Sequence, residues 1–133
     1  MQFRHQSKTI QLDSKSIEEI SPTINGKILL LVHGSCMNDI QWTRKEHNHG
    51  VVLAQELGKT PIYLNYNSGR HISSNGQELN DLLEKLLLYW PVPVEELVII
   101  SHSMGGLVTR SALYYGQQQQ KGWTAHLKKM VFL

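Results

Sequence analysis

The sequence predicts a three-layer α/β/α domain with a parallel sheet, and two observations predict it. Short, continuously apolar runs recur at Lys27–His33 (KILLLVH), Leu97–Ser101 (LVIIS) and Lys129–Leu133 (KMVFL). Runs of that length without polar alternation are what strands buried on both faces look like. Between them lie segments of helical period, so strand and helix alternate along the chain, the signature of parallel strands joined by helical crossovers.

Each element follows in order. Residues 1–26 are mixed and polar, broken by Pro22 and Gly26, and read as a peripheral lead-in to a domain at 27–133. After the first strand, His49 to Leu57 reads as a helix stopped by Gly58, and Pro61–Tyr66 (PIYLNY) as the second strand. Asn67–Gly76 is rich in turn formers. The longest helix follows, with Ser74 and Gln77, or Asn75 and Glu78, offered as its capping box. Leu79, Leu82, Leu83, Leu86, Leu87 and Trp90 form one apolar stripe on it, and Pro91 and Pro93 end it. A third strand at Leu97–Ser101, a helix from Met104 to about Gly116 and a fourth strand at Lys129–Leu133 complete the pattern.

The 133 residues can bury one ordinary core, and a net charge of +2 gives no case for nucleic acid or an anionic membrane. The lone Cys36 forms no internal disulfide and reads as a small half-buried residue. No apolar run spans a bilayer, and Met1–Lys8 lacks a secretory signal, so the expected compartment is the cytoplasm. His47 and His49 are two apart, which on a helix points them in different directions, so no metal site is expected.

The informative stretch is Leu97–Val108 (LVIISHSMGGLV), a strand running straight into a helix. A serine at such a turn is held in a strained backbone with its hydroxyl exposed, and the close approach demands small residues two before and two after it. Ser101 and Gly105 supply them around Ser103, with Gly106 beyond. The helix start adds free N–H groups and a positive dipole, suited to a developing oxyanion. This segment resembles the nucleophile elbow of the α/β-hydrolase superfamily, G-x-S-x-G, with Ser101 at the first glycine.

Val32-His33-Gly34-Ser35-Cys36 is similar to the family's H-G-x segment after its third strand. The resemblance extends over residues 24–133 and is closest to lipase-like and PGAP1-like (GPI inositol-deacylase-like) bacterial hydrolases. It implies a serine hydrolase of carboxylic esters, with Ser103 as nucleophile and the backbone N–H groups of Ser35 and Met104 as oxyanion donors. Each donor is worth about 3–4 kcal/mol to the tetrahedral intermediate. His33 is implied as a structural residue, His102 as a packing residue, and Arg70 and His71 as a loop on the substrate side. Acyl transfer to an alcohol differs only in the acceptor. A small-molecule or lipid ester is the implied substrate, with no metal or organic cofactor.

The resemblance also implies a later Asp or Glu and a later His. After Ser103 the sequence has no acidic residue, and its single histidine, His126, precedes the last strand, on the side away from the crevice. Three expectations follow: a fragment of a hydrolase ending after about its fourth parallel strand, which is favoured; a short enzyme using His71 as base; or a non-catalytic binding domain. A sheet cut there leaves an uncovered edge, which invites self-association.

Overall fold

In the computed structural model, residues 1–5, 8–19, 24–34, 43–44, 47–48 and 58–133 are described. The helix expected at His49–Leu57, together with Ser35 and Cys36, lies outside them. The strands are β1 (Gln2–His5), β2 (Lys8–Thr9), β3 (Lys27–Val32), β4 (Thr43–Arg44), β5 (His47–Asn48), β6 (Thr60–Asn65), β7 (Glu96–Ser101) and β8 (Leu127–Phe132). The helices are α1 (Ser14–Glu18), α2 (Ile72–Leu88), α3 (Met104–Gln118) and α4 (Trp123–His126).

Six strands form one sheet in the order β2-β1-β6-β3-β7-β8, and β4 and β5 form a separate ribbon. β6, β3, β7 and β8 run parallel, while β1 lies antiparallel on β6. The sheet is buried because its strands carry branched apolar side chains on both faces. Ile28, Leu30, Val32, Ile62, Leu64, Leu97 and Ile99 point into the core shared with Leu79, Leu83 and Leu86 of α2 and Val108 and Ala112 of α3. Leu29, Leu31, Tyr63, Val98 and Ile100 form a second cluster on the opposite face. Adjacent residues on one strand thus serve two layers, which is why these runs show no alternation.

The lead-in contributes more than the sequence suggested. Phe3, on the short polar β1, and Ile17 of α1 are fully buried in the main core. α2 also starts earlier than the expected capping box. It begins at Ile72, its N-cap His71 makes no side-chain capping bond, and Ser74 and Asn75 lie inside its first turns. Asn75 is buried and donates from Nδ2 to the Asn67 carbonyl at 3.0 Å, so it ties the preceding loop to the helix instead of capping it. β8 begins at Leu127, with a bulge that pairs Val98 with Lys129 and leaves Lys128 out of register. Lys128 uses that freedom to reach Glu96 Oε2 at 2.9 Å.

Candidate active site

The carboxyl ends of β3 and β7 lie side by side, with β6 on the outer side of β3. Successive strands of the chain therefore diverge to opposite sides of β3. In open parallel sheets the ligand crevice sits at such a point, beyond the strand carboxyl ends. His33 and Gly34 leave β3 there, and His102 and Ser103 leave β7 there.

Ser103 is exposed and caps α3 with φ 54° and ψ −122°. A positive φ at a residue with a Cβ costs on the order of 1–3 kcal/mol and persists only when its surroundings over-determine it. Here the surroundings are explicit. The Ser103 N–H donates to the Leu133 carbonyl at 3.2 Å, the Leu133 N–H donates to the Ser101 carbonyl at 2.8 Å, and the His102 N–H donates to the Val32 carbonyl at 3.0 Å. On the helix side, the Gly105 N–H donates to the His102 carbonyl and the Gly106 N–H to the Ser103 carbonyl, both at 3.0 Å. Strand, turn and helix are thus pinned at five consecutive peptides.

Close packing completes the constraint. A Cβ on Gly105 would stand 2.5 Å from the His33 carbonyl oxygen and 2.8 Å from that of Val32. A Cβ on Gly34 would stand 2.9 Å from the His102 carbonyl oxygen and 3.1 Å from the Ser103 Cβ. The two motifs touch only because both positions are glycine. Met104 opens α3, so its N–H has no acceptor one turn back in the helix and remains available at the turn.

Ser101, where the family's motif has glycine, is fully buried, and its hydroxyl meets Thr109 Oγ1 at 2.9 Å. Thr109 Oγ1 in turn donates to the Gly105 carbonyl at 2.8 Å. Thr109, one turn beyond Gly105 on the same buried face, was not singled out from the sequence. Its one signal there is a polar residue in line with Gly105 and Ala112 on an otherwise apolar helix face.

His33 is buried and stacked on Tyr66, with ring centroids 4.2 Å apart and an interplanar angle of 21°. Its Nδ1 faces the Gly34 carbonyl at 2.9 Å, so the proton sits on Nδ1, and its Nε2 accepts from the Tyr66 N–H at 3.4 Å. The Tyr66 hydroxyl donates to the His33 carbonyl at 2.7 Å, and burial pushes its pKa up to about 12. Both ring nitrogens of His33 are therefore engaged in holding the β3 exit in place. His102 is half-buried, and its Nδ1 is buried without a hydrogen-bond partner, facing Gly34.

Arg70 and His71 are exposed on the loop that leaves the carboxyl end of β6, the strand two places from β7, about 10 Å across the sheet. Arg70 pairs with Glu78, which also meets the Met1 amino group at 3.3 Å, and the Arg70 hydrogen bond holds the Glu78 carboxyl below its ordinary value. His126 is exposed on α4, where β8 pairs with the amino end of β7, far from the turn. Among the described residues, no side chain is hydrogen-bonded to the Ser103 hydroxyl and no cluster of metal-ligating groups occurs. No described helix is long and apolar enough to cross a membrane.

This parallel sheet, with a serine strained at a strand-to-helix turn over a switch point, has an α/β-hydrolase fold of the lipase and esterase kind. The chain belongs more particularly to the family of PGAP1-like alpha/beta domains, which it matches over residues 23–122. It is similar in fold to the crystal structure of Bacillus licheniformis lipase BlEst2 in mature form. There the TM-score is 0.63 at 18% identity, over 84% of this chain and 41% of the lipase chain. The propeptide form of the same lipase gives a TM-score of 0.62 at 18% identity, over 84% of this chain and 22% of that one. The chain thus spans less than half the length of either lipase chain. No curated protein sequence matches it.

Proposed function

We propose that the chain carries the nucleophile of a serine hydrolase acting on carboxylic esters. The observation that carries the reading is the backbone of Ser103, held at φ 54° with its side chain exposed above the crevice. Backbone strain clusters at active sites, and at a strand-to-helix turn it supports this reading. In the reaction, Ser103 Oγ attacks the acyl carbon and the carbonyl oxygen becomes an oxyanion held by the Met104 N–H and, from the H-G-x segment, the Ser35 N–H. Collapse expels the alcohol and leaves an acyl-serine, which water then cleaves.

The serine needs a base, because an unassisted hydroxyl is a poor nucleophile. No acidic residue follows Ser103 in the sequence, and His33 is engaged at both nitrogens. The reading is therefore that the general base and its acid partner reach Ser103 from outside the described residues. Among the described residues no side chain is hydrogen-bonded to the Ser103 hydroxyl, which also favours a second reading, a binding domain that kept the turn without the chemistry.

Hydrolysis of a nitrophenyl butyrate separates the two. Turnover by the chain supplied with imidazole, lost in Ser103→Ala, supports the hydrolase. Equal turnover by both proteins would sink it.

A further inference from the structure

Gly34 is the hinge by which the chain leaves β3 toward the proposed oxyanion donor, and hydrogen bonds on both sides remove its freedom. Glycine is the most permissive backbone residue, so unrestrained peptides on either side of it would wander. Here it is required, because a Cβ would stand 2.9 Å from the His102 carbonyl oxygen. The peptide before the hinge is held at the His33 carbonyl, which accepts from the Tyr66 hydroxyl at 2.7 Å. The peptide after it is held at the Gly34 carbonyl, which accepts from His33 Nδ1 at 2.9 Å. That imidazole is itself held by Tyr66, through the ring stack at 4.2 Å and the Tyr66 N–H on Nε2 at 3.4 Å. Both peptide planes flanking the hinge thus lead back to one buried residue, just past the end of β6.

We infer that Tyr66 is a positioning residue, which through His33 fixes both peptides at Gly34 and so sets the direction of the N–H that follows. A planar trans peptide points its carbonyl and its N–H opposite ways, so a carbonyl pinned at its oxygen aims the N–H across the same bond. An oxyanion donor aimed before the substrate arrives needs no reorganisation as charge develops, and such donors draw their strength from that. The hydroxyl also keeps its proton. Burial pushes the Tyr66 pKa up to about 12, so the tie to His33 persists across the range in which esters are assayed. The catalytic consequence rests on the proposed hydrolase reading; the restraint on Gly34 does not.

Tyr66→Phe tests the inference, because it keeps the stacked ring and the backbone N–H and deletes only the hydroxyl. Two measurements read it. In NMR relaxation, the Gly34 N–H order parameter is expected near about 0.85 in the parent and below about 0.6 in the variant. In imidazole-assisted hydrolysis of nitrophenyl butyrate, kcat is expected to fall about tenfold while KM stays within about twofold, the split of an interaction made in the transition state. Trp90→Phe controls for general loosening. It also deletes one hydrogen bond, from Trp90 Nε1 to the Asn25 carbonyl at 2.8 Å, but at the amino end of the parallel strands. Its Gly34 order parameter and its kcat should match those of the parent.

An unchanged Gly34 order parameter in Tyr66→Phe, a loss carried by KM, or an equal loss in Trp90→Phe would overturn the inference. Turnover that survives Ser103→Ala would sink the hydrolase reading instead. The order parameters, measured without substrate, would then still decide for or against the restraint.

Discussion

Ser101 and Thr109 share a buried hydrogen bond of 2.9 Å at the base of the turn, and this is how the chain tolerates a serine where the elbow motif has glycine. The Ser101 hydroxyl would otherwise be an unpaired buried polar group. Thr109 relays it to the Gly105 carbonyl, so the extra hydroxyl becomes a tie between β7 and α3. Thr109→Val should orphan the Ser101 hydroxyl and cost about 1–3 kcal/mol, while Ser101→Ala should cost about 1 kcal/mol or less. Urea unfolding of both single variants and the double variant measures the coupling. A double variant as damaged as the sum of the singles would show that the two hydroxyls act independently.

The strain at Ser103 has a thermodynamic signature. Ser103→Gly should raise stability by roughly 1 kcal/mol, because glycine adopts a positive φ without penalty. Ser103→Ala removes the hydroxyl and keeps the strain, so its melting temperature should stay near that of the parent. Differential scanning calorimetry on the pair reads this directly, and a destabilised Ser103→Gly would contradict the strained turn.

Two glycines in the helix start face different neighbours. A Cβ on Gly105 meets backbone oxygen at 2.5 Å, whereas one on Gly106 meets the edge of the Phe132 ring at 2.8 Å. The ring sits on an exposed side chain at an open edge and can turn aside, while the β3 backbone cannot. Gly105→Ala should therefore cost about 3 kcal/mol and Gly106→Ala about 1 kcal/mol or less. Comparable losses for the two would mean that β3 yields as readily as a side chain.

Stability should depend on pH at both extremes. Glu96 is pulled down to about 2, first by its hydrogen bond to Lys59 and then by that to Lys128. A lowered carboxyl pKa favours the folded state above the unfolded value, so this contribution fades as pH falls from about 4.5 to about 2. Tyr66 is the opposite case. Burial raises it from 10.0 to about 12, so its contribution is complete below pH 10 and is lost as pH climbs through 12. Glu96→Gln should flatten the acid limb and Tyr66→Phe the alkaline limb in denaturant titrations. Unchanged limbs would mean that other groups govern them.

Much of the fold was legible because its strands are buried on both faces. KILLLV and ELVIIS admit few other readings, and the parallel arrangement of the strands came from the alternation of elements. What escaped was short or polar. β1 buries a single apolar residue, Phe3, amid glutamine, arginine and histidine, and so carries no period. The N-cap of α2 is a histidine without a capping bond, so the nearby Ser74 and Asn75 drew the boundary inward. At the site, Ser103 was legible from small residues at fixed spacing. Tyr66 and Thr109 were not, because their roles depend on partners 33 and 8 positions away that only the packed sheet brings together.

Mass spectrometry after fluorophosphonate treatment, with and without added imidazole, tests the central claim that Ser103 is the nucleophile. The expected result is one adduct, on the Ser103 peptide, formed slowly by the folded chain, faster with imidazole, and not at all after denaturation or in Ser103→Ala. An unmodified Ser103 in folded protein with imidazole present, or a label spread over other serines, would contradict it.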